Sequence, residues 1–220
     1  MKDTLELVFI LDQSGSMSRL EEDTIGGFNS ILEKQRDNKE NDVVVSVVLF
    51  NNKTDVIYNR VPIEDVKPLS KSKYVVGGST ALLDAVGGAI DHIVRVHLLL
   101  GKKDQPSKTM FVITTDGQEN SSRRFSKHAI HRMVSEKQED GWEFMFLGAN
   151  IDAYKSAKEY GFRSERVSNY MHDGEGVRNL YESLNVAVSD LRTSKKIRDS
   201  WKQDVESDYA KRSGKYGEKR

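Results

Sequence analysis

Four runs of the chain are apolar almost without a break: residues 5–11 (LELVFIL), 43–50 (VVVSVVLF), 110–115 (MFVITT) and 142–147 (WEFMFL). Each is far shorter than the roughly 20 apolar residues needed to cross a bilayer, and reads as a strand buried on both faces. Between them lie segments with apolar residues at helical spacing. Ile25, Phe28, Ile31 and Leu32 mark 21–36, and Leu82, Leu83, Val86, Ile90, Ile93 and Val94 mark 81–100. Phe125, Ile130, Met133 and Val134 mark 121–138, and Val177, Leu180, Leu184, Val186 and Val188 mark 174–191. Strands that alternate with amphipathic helices predict an α/β fold: a mostly parallel central sheet with helices on both faces. Residues 54–61, reached through Asn51-Asn52, predict an antiparallel edge strand. A short helix at 152–160, closed by Gly161, precedes a last edge strand at 162–168.

The 220 residues suit one well-filled domain, expected at 1–192. Beyond it the periodicity dissolves. The stretch 193–220 holds nine basic and five acidic residues with Trp201 as its lone large apolar group, and predicts a charged, flexible tail. Lys and Arg total 34, as do Asp and Glu, so no global field favours nucleic acid or an anionic membrane. The absence of cysteine excludes disulfides, thiolate metal sites and cysteine nucleophiles. Residues 5–11 follow Met1 and Lys2 as a signal-peptide core would, but no small-residue cleavage site follows and the run ends on Asp12. The expected address is cytoplasmic.

Right-handed crossovers gather the C-terminal ends of parallel strands at one edge of the sheet, where such folds hold ligands. Three fragments arrive there: DQSGS at 12–16, GGST at 77–80 and TTDG at 114–117. They offer two carboxylates, Asp12 and Asp116, and three hydroxyls, Ser14, Ser16 and Thr80. This all-oxygen set suits Mg²⁺ or Mn²⁺ better than zinc. Alternate residues of an extended loop share a side, which lets Asp12, Ser14 and Ser16 point together. Two carboxylates with neutral hydroxyls leave an ion electrophilic, ready to take an Asp or Glu carboxylate from another molecule. The site is expected at a surface rim.

These residues resemble the metal-ion-dependent adhesion site (MIDAS) of von Willebrand factor type A (vWA) domains: Asp-x-Ser-x-Ser, then a Thr, then an Asp. The match is Asp12, Ser14, Ser16, Thr80 and Asp116, and the likeness extends over 5–191. It implies a three-layer, Rossmann-like fold with one antiparallel edge strand. It also implies a bound Mg²⁺ or Mn²⁺ that bridges to a partner's acidic residue. In members whose site switches, Thr80 would coordinate directly and Asp116 through water. The resemblance further implies a standalone, bacterial-type interaction module without catalysis, working with an assembly such as a AAA+ ATPase or a stress-response system.

Gly78, Ser79, Glu119, Asn120, Asn150 and Asp152 are placed by the same topology near this edge and are candidates for a partner-binding rim. Asp152 also suits a helix N-cap. His128 and His131 share a helical face without a third ligand and read as solvated. Two other readings stand beside docking. One is a Mg²⁺-dependent phosphoryl-transfer enzyme with Asp12 as nucleophile, against which position 14 is Ser where Asp-x-Asp is required, and no GxxxxGK[ST] loop or GxSxG elbow occurs. The other is a scaffold with a vestigial metal site.

Overall fold

In the computed structural model, which describes residues 3–149, 152–194 and 196–217, β1 (Thr4–Asp12) runs through the middle of the sheet and is buried almost throughout. It pairs in parallel with β2 (Asp42–Phe50) on one side and β4 (Lys108–Thr115) on the other. β3 (Thr54–Pro62) lies antiparallel on β2, while β5 (Glu143–Gly148) and β6 (Val167–Asn169) continue in parallel beyond β4. The described residues therefore form a six-stranded sheet in the order β3-β2-β1-β4-β5-β6. The chain leaves β1 toward β2 and later returns to β1's other side as β4. That reversal opens the crevice at the β1/β4 junction in which folds of this kind seat ligands.

Side chains alternate along the strands and so feed two apolar layers. Leu5, Leu7, Phe9 and Leu11 face α1 (Glu21–Asp37) and α5 (Gly174–Ser194), whereas Val8 and Ile10 face α2 (Leu82–Leu99), α3 (Lys127–Glu139) and α4 (Ala153–Glu159). Among the described residues no helix is long and apolar enough to cross a membrane.

Glu6 is a charged exception inside the sheet. It is 0% exposed, and its two oxygens meet Arg60 Nε and His97 Nε2, each at 2.7 Å. Pairing is the condition for a carboxylate to be buried at such depth. Arg60 reaches it from β3 with a left-handed backbone (φ 52°), beside register shifts in the β2–β3 ladder.

Three segments depart from the expectations. The helix predicted from 121 begins at Lys127, with Ser126 as N-cap accepting from Ala129 N at 3.2 Å. The amides of Arg123, Arg124 and Phe125 donate to the Asp84 carboxylate and are not available to an earlier turn. The edge strand predicted at 162–168 is only β6, because Ser164–Arg166 form a 3₁₀ turn and Phe162 stacks on Phe146 with centroids 5.1 Å apart. Val186 lies outside the apolar face of α5 and is 38% exposed.

The solvated tail expected from 193 is also corrected over the residues described. Asp199–Lys202 form a 3₁₀ turn that runs into α6 (Gln203–Gly217), and Ile197, Trp201 and Val205 sink into the layer shared with α1 and α5. Their spacing of four is a helical stripe that the surrounding charge obscures. The Trp201 indole donates to Glu165 O at 3.0 Å, and Lys202 Nζ donates to Val167 O at 2.9 Å. Trp201→Ala should accordingly destabilise the protein by about 3–5 kcal/mol in urea unfolding. A tail in solvent would change stability by no more than about 0.5 kcal/mol.

Candidate functional site

Asp12 is the last residue of β1, and the loop after it is held from three directions. Gln13 N donates to Phe50 O at 2.7 Å, Gly15 N to Gly78 O at 3.0 Å, and Gly77 N to Gln13 O at 2.8 Å. The Tyr74 hydroxyl donates to the carbonyl of Asp12. Gly78 has φ +80°, and a Cβ there would lie 2.3 Å from Asn52 Oδ1, so only glycine lets the two loops meet this closely.

The side chains form a continuous chain of hydrogen bonds. Asp12 Oδ1 accepts from Ser14 N at 2.7 Å, and Asp12 Oδ2 accepts from Thr115 Oγ1 at 2.6 Å. Ser14 Oγ and Ser16 Oγ are 3.0 Å apart, and Ser16 Oγ donates to Asp116 Oδ1 at 2.6 Å. Ser16 lies in a 3₁₀ turn, Gly15–Met17, that brings its hydroxyl back under the end of β4. Thr80 precedes α2. A Cβ built on Gly117 would sit 2.9 Å from Thr80 Oγ1 and 3.3 Å from Ser16 Oγ, so both hydroxyls flank this glycine. All five residues singled out in the sequence thus converge at the β1/β4 junction.

The expectation of a surface rim is corrected for the carboxylates. Asp12 is 0% exposed and Asp116 only 3%. Burial pushes the Asp12 carboxyl up to about 6; hydrogen bonds from Thr115 and Ser14 pull it down, and the nearby Asp116 charge adds to the rise. Among the described residues, no three or more His, Asp or Glu side chains are grouped to hold a metal by themselves. The fit of a cation therefore depends on the serine and threonine hydroxyls. Two sequestered carboxylates linked through neutral hydroxyls are a donor set that a hard divalent ion fits.

His172, which the sequence reading passes over, completes the arrangement. Its Nε2 lies 2.7 Å from Asp116 Oδ2 and 3.2 Å from Ser16 O. The hydrogen bond to Asp116 raises the imidazole above its ordinary value, against the opposing effect of burial. Its legible signal is position: it follows β6 at the same edge of the sheet.

The rim candidates divide. Gly78 and Ser79 lie on the Thr80 loop at the edge. Asn120 braces that loop, its Oδ1 accepting from Thr80 N at 2.9 Å and its own N donating to Thr80 O at 3.1 Å. Glu119 is turned inward as a brace, accepting from the amides of Leu83, Ser121 and Ser122. Asp152 is the N-cap of α4, accepting from Lys155 N at 3.0 Å. Asn150 lies outside the described residues. His128 and His131 are exposed on α3.

No protein-family model and no curated protein sequence matches the chain. Solved structures do. Proximal thread matrix protein 1 from the mussel byssus aligns with a TM-score of 0.58 at 15% identity over 84% of this chain, and the chain spans 45% of that protein's length. A further crystal structure of it has a zinc-occupied MIDAS motif. The manganese-loaded TRAP protein of Plasmodium vivax aligns with a TM-score of 0.57 at 15% identity, over 81% of this chain and 72% of its own. The vWF domain of the type V pilus tip protein Mfa5 from Porphyromonas gingivalis aligns with a TM-score of 0.59 at 10% identity, over 84% and 96% respectively. The fold is the vWA fold.

The raised Asp12 carboxyl has a signed consequence for stability. Between the ordinary value near 3.8 and about 6 the native state holds a proton that the unfolded chain has released, so stability falls as pH rises through that window. His172, also raised, loses its contribution in the same direction as pH passes above its native value. In EDTA, Asp12→Asn should be more stable than the wild type at pH 7.5, by up to about 3 kcal/mol, with the difference gone at pH 4. Asn can keep the geometry, accepting from Ser14 N while its amide donates to Thr115 Oγ1. Thermal melts at the two pH values check this.

Proposed function

We propose that the chain is a metal-dependent docking module that binds an acidic side chain of a partner protein. Asp12, Ser14, Ser16, Thr80 and Asp116 would hold Mg²⁺ or Mn²⁺ between them. The bound ion supplies an electrophilic position that a partner's Asp or Glu carboxylate can fill. The single observation that carries this reading is the pair of buried carboxylates at the end of the β1/β4 junction, linked through Ser14, whose amide binds Asp12, and through the Ser14 and Ser16 hydroxyls to Asp116.

The residues divide the work. Asp12 supplies fixed negative charge from the interior, its orientation set by Ser14 N and Thr115 Oγ1. Ser14 and Ser16 add neutral oxygens from a loop locked to Gly78, so the total charge stays low enough for one more carboxylate to be attracted. Thr80 adds a hydroxyl from a loop braced by Asn120. The zinc and manganese seen in fold relatives support a divalent ion in general. The choice of Mg²⁺ or Mn²⁺ rests on the all-oxygen set.

The phosphoryl-transfer reading fits less well. Such enzymes pair the nucleophilic Asp with a second Asp two residues on, whereas position 14 is Ser. Fold relatives named for pili and byssus support a binding role over an enzymatic one.

A pull-down from cell lysate with the wild-type chain as bait, run in Mg²⁺ and in EDTA, tests the proposal. Partners should be retained in Mg²⁺, released by EDTA, and lost with Asp12→Asn or Ser14→Ala while the circular dichroism of each variant stays that of the wild type. Partners that survive all three perturbations would move the interface away from the metal edge.

A further inference from the structure

We infer that His172 is a positioning residue for the metal site: it holds Asp116 so that one carboxylate oxygen, and not the other, is offered to the ion. This rests on the metal-docking reading above and adds to it a residue outside the five-residue motif.

The geometry carries the assignment. Both Asp116 oxygens are engaged, Oδ1 by the Ser16 hydroxyl at 2.6 Å and Oδ2 by His172 Nε2 at 2.7 Å. The two donors differ in what they can do when a cation arrives. A serine hydroxyl can rotate its hydrogen away and present a lone pair, becoming a ligand itself. An imidazole Nε2–H has no such freedom, because its hydrogen lies in the ring plane along the bond it already makes. Oδ2 therefore stays tied to His172, and Oδ1 is the oxygen released for the ion or for a water on it. The same Nε2 lies 3.2 Å from the carbonyl of Ser16, so one ring spans the first and third motifs and keeps them in register.

The turn that carries His172 is itself fixed. Asp173 accepts from Gly176 N at 2.8 Å at the start of α5. Its other oxygen receives Arg212 Nη1 of α6 at 2.6 Å, and Arg212 also grips Asp208. A side chain held by such a turn can define the plane of Asp116, whereas a side chain on a loose loop would follow it.

Partners of this kind, one bond behind the ligand, typically contribute about 10–100-fold to metal affinity. The test is calorimetric titration of the EDTA-stripped 220-residue chain with Mg²⁺ and with Mn²⁺. His172→Ala should weaken both by roughly 10–100-fold and leave the ratio between the two metals unchanged. His172→Gln, which keeps an N–H donor at similar reach, should recover most of the loss. Arg212→Ala should show a smaller loss in the same direction. Asp12→Asn is the reference for a lost site.

Wild-type affinity in His172→Ala, with Asp12→Asn inactive, would overturn the positioning role and leave the metal reading intact. Equal losses in His172→Ala and His172→Gln at matched melting temperature would reduce His172 to packing and overturn it as well. Nitrogen coupling from histidine in the electron spin-echo spectrum of the Mn²⁺-loaded protein would make His172 a direct ligand, again against the proposal. Failure of the wild type to take up either metal would instead remove the reading on which it stands.

Discussion

The carboxylate of Asp12, buried at the end of the central strand, is the constraint around which the ligand edge is organised. A strand covered on both faces delivers its last side chain into the interior, and a charge there must be surrounded by donors or by an ion. Ser14 N and Thr115 Oγ1 supply donors within the protein, and Tyr74 pins the same residue's carbonyl from a loop 62 positions away. The loops carrying Gly15 and Gly78 then have one way to close over it. The metal-site reading is one consequence of this electrostatic demand, and the tight loop geometry is another.

β1, β2, β4 and β5 were legible in the sequence because double-sided burial leaves an unbroken apolar run, whereas β3, with no fully buried residue, was legible through the Asn51-Asn52 turn. All five lie within a residue or two of the predicted segments. The five-residue set was legible because its members cluster in three short fragments, each at the end of a strand or the start of a helix. His172 was not. It is a single imidazole in a polar turn, 56 residues from Asp116, with no periodicity to mark it. Thr115 and Tyr74 were hidden for a different reason, since each reads as an ordinary strand or loop residue until the chain brings it to Asp12.

Charge misled in the opposite direction near the C-terminus. The basic residues around Trp201 suggested solvent, yet an apolar side chain every fourth residue sufficed to bury one face of the segment. The polar faces then found local partners, Arg212 with Asp208 and Lys202 with carbonyls of the β6 region. Glu119 shows the same limit at the ligand edge. An acidic residue in a loop reads as a rim contact, but here its oxygens are taken up by the backbone amides of Leu83, Ser121 and Ser122.

The Glu6–Arg60 pair sets the character of the sheet's outer margin. An edge strand with regular backbone offers a row of free amides and carbonyls to any extended chain that drifts by, and open sheets risk polymerising through it. Here β3 is bent by a left-handed residue and a slipped ladder, and the Arg60 side chain is drawn inward to a charge that cannot leave the core. The opposite margin is only three residues long, with a lysine ammonium fastened to one of its carbonyls. One margin is distorted and the other is short, so the sheet is poorly suited to zip up along its sides.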